Sequence, residues 1–395
     1  MEREEQIRGE SRFAWPKMNR EEAPWDLLSQ VVARPHTPPE LVELINRARK
    51  AEGHSEPRKH HLVPASYLRR WRDVNNQVRV TQVDERRSWV TAPEKAARET
   101  DYYRVEHEQI DRRELPPLLM ETLLSTLEES AKQAIDVLMT EQPVALDAPL
   151  FGEFAWHIAF QATRGKVFRD DNIYVVNEMN RLRFRDMDDE AIERNLSRAG
   201  QEPTAELVAK HRAFLQDIRS GKITLQGPPA QQVGFAARAA ADVFPHLLAR
   251  EWHVFETPPA LVTCDEPVLL VGGPGLPRHE RAGAMTASVV LFPLAPTRLL
   301  AMFRHDVEVF EPLTLDAIDT AEVNRELAAV ATRWIFELPS RHVGESIALP
   351  ARGEPYKLEH ELVNVEPGRT RYRYYKPNRW RQEPWTPWPV ARWWA

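Results

Sequence analysis

The run REWHVFETPPALVTCDEPVLL, residues 250–270, marks a change in the texture of the chain. Its β-like pieces, 252–255, 261–263 and 268–271, are short, rich in β-branched and aromatic residues and separated by prolines. Two further strand-like pieces, 288–292 and 299–303, follow, and a closing helix is predicted over 315–335. On the N-terminal side the period is helical. Leu118, Leu119, Leu123, Leu127, Ala131, Ile135 and Leu138 recur at three- and four-residue steps and predict a helix from 114 to about 140. A second helix is expected from about Ala148 past Arg164 into the charged 170–190 region, a third over 202–218 and a fourth over 233–248. Strands therefore follow helices instead of alternating with them. The expected fold class is α+β, with a central helical layer (114–248), a small mixed or antiparallel sheet (250–304) and the closing helix.

The two ends differ from this core. Residues 1–57 are polar and proline-rich and read as an extension, with one short helical stretch starting at Pro39. Val78, Val80 and Val83, then Trp89 and Val90, bracket a polar turn and predict a short hairpin before the helices. A C-terminal segment, 338–395, ends in a tail (369–395) with seven basic residues, one acid and eight aromatics. Arginine interleaved with aromatics suits a single-stranded nucleic acid or a nucleotide. The competing expectation is that the tryptophans pack over an apolar groove of their own domain or drive self-association.

Composition narrows the function. One cysteine, Cys264, excludes a disulfide framework and a multi-cysteine metal site. The net charge of -6 argues against generic nucleic-acid binding, although 43 of the 53 basic residues are arginine. No secretory leader or membrane-length apolar run is evident, so a cytoplasmic protein without membrane attachment is expected. GGPGLP at 272–277 lacks the Lys-Ser/Thr of a phosphate loop, and His107-Glu108 and His360-Glu361 lack the second histidine of a helical zinc site. Serine-hydrolase elbows and dinucleotide fingerprints are also missing.

Three constellations remain. In FGEFAWHIAFQATRGK, 151–166, Glu153, His157, Gln161 and Arg164 form one polar stripe on an otherwise apolar helix. Such a stripe is either a solvated face or lines a cleft with an internal polar partner. His60 and His61 are adjacent, so one at most enters a given site, as base or metal ligand. Asp265 either projects a carboxylate from a strand end or makes a turn, while Cys264 beside it reads as a small buried hydrophobe.

Lys59-His60-His61 with Pro64, Tyr67 and Leu68, then Asp101-Tyr102-Tyr103, Leu127-Glu128, Gln161 with Arg164, Thr263-Cys264-Asp265-Glu266-Pro267, Phe292-Pro293-Leu294, and Asn324 with Ala331 and Arg333 occur in that order. This order resembles a bacterial family called domain of unknown function 4238, over about 58–337. Cys264 and Glu266 depart from its usual Ser and Asn around the aspartate. The resemblance implies that His60, Gln161, Arg164 and Asp265 occupy motif positions, and that a setting in anti-phage defence is in keeping with relatives. The expected activity is a hydrolase or nuclease acting on a phosphate-containing anion. His60 and His61 would serve as base or metal ligand, Asp265 and Glu128 as carboxylates for proton transfer or a divalent metal, and Arg164, Gln161 and His157 as the substrate-binding groups. The alternative expectation is a non-enzymatic ligand-sensing or protein-interaction module whose polar cluster is structural.

Overall fold

The structure, a computed structural model, describes residues 39–51, 59–100, 102–104, 112, 116–185, 187–225, 227, 229–278, 280–307, 309, 311–351, 363–366, 369–371, 379–380 and 387–394. Most of the N-terminal extension, Asp101, His107-Glu108, His360-Glu361 and Trp385 lie outside these residues.

The elements in chain order are α1 (Pro39–Ala51), β1 (Lys59–His61), α2 (Ala65–Leu68), β2 (Val78–Gln82), β3 (Ser88–Thr91), β4 (Arg98–Thr100), α3 (Leu119–Leu138), α4 (Ala148–Thr163), α5 (Lys166–Phe184), α6 (Asp189–Arg198), α7 (Ala205–Arg219) and α8 (Pro229–Leu248). Then come β5 (Glu251–Glu256), β6 (Thr263–Cys264), β7 (Leu269–Val271), β8 (Val289–Ala295), β9 (Arg298–Phe303), α9 (Ala317–Val330), β10 (Trp334–Glu337), α10 (Val343–Ser346), β11 (Val363–Glu366) and β12 (Arg369–Arg371). The fold is α+β, and every strand pairing in its sheets is antiparallel. Two four-stranded sheets run β5-β9-β8-β7 and β3-β2-β10-β6, and β1-β4 and β11-β12 are two-stranded.

The chain divides into two compact units, one of residues 1–166 with 229–395 and one of 167–228. In the larger unit, α4 packs against both α3 and α8. Its sequence is apolar nearly all round, so burial on every side is the favourable outcome. Asp147 starts it by accepting the Leu150 amide at 2.9 Å, leaving one fewer orphan donor in the first turn. β8, VVLFPLA, is buried along its whole length, the pattern of a strand covered on two faces. Val290, Phe292 and Leu294 join the helical core, whereas Val289 and Leu291 join a second core with Val323, Leu327 and Trp393. Each such fully buried side chain contributes roughly 1.5–3 kcal/mol. Tyr67 on α2 ties this sheet to the N-terminal part: its hydroxyl donates to the Pro293 carbonyl at 2.7 Å and pairs with Thr263 Oγ1 at 2.8 Å.

Two of the helix boundaries that differ from the sequence expectation bear on the site and the sheet. The helix expected to run through Arg164 breaks at Arg164–Gly165, and α5 starts afresh at Lys166. The closing helix stops at Val330, because Trp334, Ile335 and Phe336 form β10 between β2 and β6, where aromatic and β-branched side chains find cross-strand partners. Within the smaller unit, α6 is an additional helix, capped by Asp188, and Ile192, Leu196, Val208, Leu215 and Ile218 form a small separate core.

The described part of the tail packs on its own chain. Trp380 is buried, donates from Nε1 to Glu326 at 3.1 Å and lies under the Arg278 and Arg325 guanidinium groups. Trp388 also meets Arg278, at 4.6 Å, and Trp393 is edge-on to Phe255 and Phe303. These rings are engaged by arginines and aromatics of the same chain, the packing arrangement of the two weighed for the tail.

Candidate functional site

β1 pairs with β4 so that His60 faces Glu99 and His61 faces Arg98. Alternation along the strand sends the two histidines to opposite faces. His60 is 1% exposed and edge-on to the Tyr103 ring at 5.8 Å. Its Nδ1 forms an ion-pair contact with Glu121 Oε2, on the first turn of α3. His60 Nε2 is buried without a hydrogen-bond partner. His61 is half-buried. Its Nε2 accepts from Arg98 Nε at 3.2 Å in one tautomer and donates to the Glu94 carbonyl at 3.2 Å in the other. Burial, then Arg98, hold its pKa below the ordinary imidazole value.

The stripe on α4 is buried, not solvated: Glu153, His157 and Gln161 are each 3% exposed and Arg164, the C-cap residue, 4%. Glu153 accepts from Ser130 Oγ. His157 stacks on Phe154 and meets Phe292 edge-on, and those two rings also meet each other. Burial, with a smaller effect of Arg164, pushes it down to about 3, so it is neutral at physiological pH. Gln161 Nε2 donates to the Leu62 carbonyl at 3.2 Å, joining α4 to the segment after β1, while its Oε1 has no partner. Arg164 Nη1 donates to Glu128 Oε1 at 3.1 Å, and its Cζ sits 5.8 Å from the centre of the Tyr103 ring that also meets His60. Arg164 Nε and Nη2 are buried without partners. Burial raises the Glu128 carboxyl above its ordinary pKa against the pull of Arg164. Glu121 and Glu128, seven residues apart, share one face of α3 and reach His60 and Arg164 respectively.

Asp265 has a different environment. Its carboxylate accepts the backbone amides of Thr332 at 2.8 Å, Arg333 at 2.7 Å and Trp334 at 3.4 Å, holding the turn from α9 into β10. Burial outweighs those amides and raises its pKa to about 6. Both oxygens are thus occupied. Arg333 in turn ion-pairs with Glu99, the residue opposite His60, so the Asp265 turn is braced against the β1-β4 hairpin. Cys264 is fully buried, donates from Sγ to the Glu266 carbonyl at 3.1 Å and has its thiol pKa pushed up by burial. Glu266 accepts from Thr332 Oγ1 at 3.2 Å, and its carboxylate lies so close to Gly165 that a Cβ there would fall 2.0 Å from Oε2. Any side chain at position 165, directly after Arg164, would have to displace that carboxylate.

Of the residues selected from sequence, His60, Glu128, Gln161, Arg164 and His157 therefore gather where α3, α4 and β1 meet. His61 points to the other face of β1, and Asp265 serves the turn beside the cluster. Glu121 was not singled out by sequence reasoning. An acid in a first helical turn reads as a favourable dipole partner, and the available signal was only that it is polar within LMETLL. Among the described residues no group of three or more His, Cys, Asp or Glu is arranged to hold a metal ion. An open cleft of about 410 Å³ is lined by Lys95, Arg98, Glu99 and Thr100, on and beside β4.

The Arg164 guanidinium is paired with Glu128 through Nη1, but a buried N–H left without an acceptor costs about 1–3 kcal/mol, so its free Nε/Nη2 edge calls for one. That edge presents two parallel N–H groups, the geometry that grips a carboxylate or phosphate. The fold and the site together describe an α+β protein with a buried Arg-Glu-His cluster at the α3-α4-β1 junction. The chain belongs to the family described as "Protein of unknown function (DUF4238)", whose sequence model matches residues 59–341. No curated protein and no solved structure matches the chain.

Proposed function

We propose that the protein is a hydrolase or nuclease acting on a phosphate-containing anion, with the cluster at the α3-α4-β1 junction as its active site. The observation that carries this reading is the pair of buried, unpartnered donors on Arg164 next to a buried histidine whose Nε2 is also unpartnered. Arg164 anchors the anion, and its other arm is held by Glu128. His60, with Glu121 at its Nδ1, moves the proton to or from Nε2. His157 and Gln161 shape the pocket, and Asp265 positions the turn that supports it. A divalent metal has no ligand set among the described residues, so no step is routed through one. A cytoplasmic location belongs to the same proposal, and a defence setting rests on the family resemblance.

The second reading, a ligand-sensing or interaction module, draws support from the structural engagement of Asp265 and the depth of the cluster. Incubation of the purified protein with DNA, RNA and nucleotide panels, with and without Mg²⁺ or Mn²⁺, separates the two. Turnover by the wild type that falls at least about a hundredfold in His60→Ala and Arg164→Lys supports the enzyme. Binding without turnover supports the sensor, and equal turnover in all three proteins removes these residues from the mechanism.

A further inference from the structure

Resting on that reading of the site, we infer that its ligand is a terminal phosphate monoester, as on a nucleotide or a free strand end, and not an internal phosphodiester of a nucleic acid. Three features lead there. The first is enclosure: His60, Gln161 and Arg164 are between 1% and 4% exposed. A phosphodiester must leave in two directions through its two ester arms, whereas a terminal phosphate enters end-on and needs one opening. The second is the Arg164 edge, where Nε and Nη2 together bind two oxygens of one group. The third is Gln161 Oε1, an acceptor with no partner, three residues before Arg164 and therefore its neighbour along the helix surface. Its partner must be a donor. The monoanion of a phosphate monoester carries both halves of the match, anionic oxygens for Arg164 and a P–OH for Gln161, and its second ionisation near pH 6 keeps that form available. An internal diester has no hydroxyl on phosphorus, and a carboxylate has none when ionised.

Calorimetric titration of the full chain at pH 6 with orthophosphate, a nucleoside 5′-monophosphate, a dinucleoside phosphate diester and acetate tests this. The expected result is binding of orthophosphate and the monophosphate at least about tenfold tighter than of the diester or acetate, and a Gln161→Met variant that loses about tenfold for orthophosphate and the monophosphate alike. Orthophosphate bound without the monophosphate overturns the monoester assignment, because the single ester arm is then refused. Diester bound as tightly as monoester, with both lost in Arg164→Lys, overturns the inference while leaving the anion site standing. Acetate bound as tightly as phosphate overturns the phosphate assignment. If none of the four binds the wild type, the anion-site reading itself fails. Should Arg164→Lys not fold, the wild-type comparison of monoester with diester decides without it.

Discussion

His157 shows what burial does to a single titratable side chain. Its pKa is pushed to about 3 in the folded state, against about 6.5 when unfolded, so below pH 6.5 the unfolded chain binds a proton that the folded one refuses. Stability from this residue is complete above pH 6.5 and falls as the pH drops towards 3, by on the order of 3 kcal/mol at pH 4. Asp265 has the opposite sign: with its pKa raised to about 6, its contribution is complete below the unfolded value and fades as pH rises to 6. His157→Phe, set among Phe154 and Phe292, should therefore shift the acid-unfolding midpoint to lower pH in circular dichroism. An unchanged or higher midpoint contradicts the assignment. His60, Gln161 and Arg164 were legible as candidates because their types are unusual where they stand. The role of Asp265 was not, since its three amide donors come from Thr332 to Trp334, far along the chain. Nor was Glu121, whose contact with His60 requires β1 and α3 to be brought together.

For the elements, local pattern carried most of the information and long-range contact supplied the rest. The periodicity of 118–138 and the apolar runs of β8 and β9 needed no tertiary knowledge. The break after α4 did, because a lone glycine in ATRGK is tolerated inside a helix and only the Glu266 carboxylate against Gly165 marks it as a close approach. The tail is the other case. Its aromatic content reads equally well as a ligand surface, yet Trp393 is 6% exposed and seated on Phe255 and Phe303. Trp393→Ala should cost about 3–5 kcal/mol in urea unfolding. Trp393→Phe should cost under about 1.5 kcal/mol, since it keeps the ring contacts and deletes an indole N–H that has no partner. A cost under about 1 kcal/mol for the alanine variant would mean the tail is not held in this way.

Considered as one molecule, the chain holds most of its buried apolar residues in the larger unit. The larger unit has two extensive cores on the two faces of β5-β9-β8-β7, whereas the unit of 167–228 has a core of five buried residues. Amides of α6 and α7 should accordingly exchange with deuterium faster than those of α4, and equal protection would contradict that division of stability. Among the described residues no helix is long and apolar enough to cross a membrane. The α+β class was legible from the order of periodicities alone, while the separate unit was not, because its helices carry ordinary amphipathic signals. The central claim is that the buried cluster performs hydrolysis through His60, and it is tested most directly by the rate of phosphate release from nucleotide and strand-end substrates by wild type and His60→Gln at matched folded fraction. The account predicts a loss of about a hundredfold or more with the unfolding transition retained. Equal rates in the two proteins, or no phosphate release by the wild type from any substrate, would contradict it.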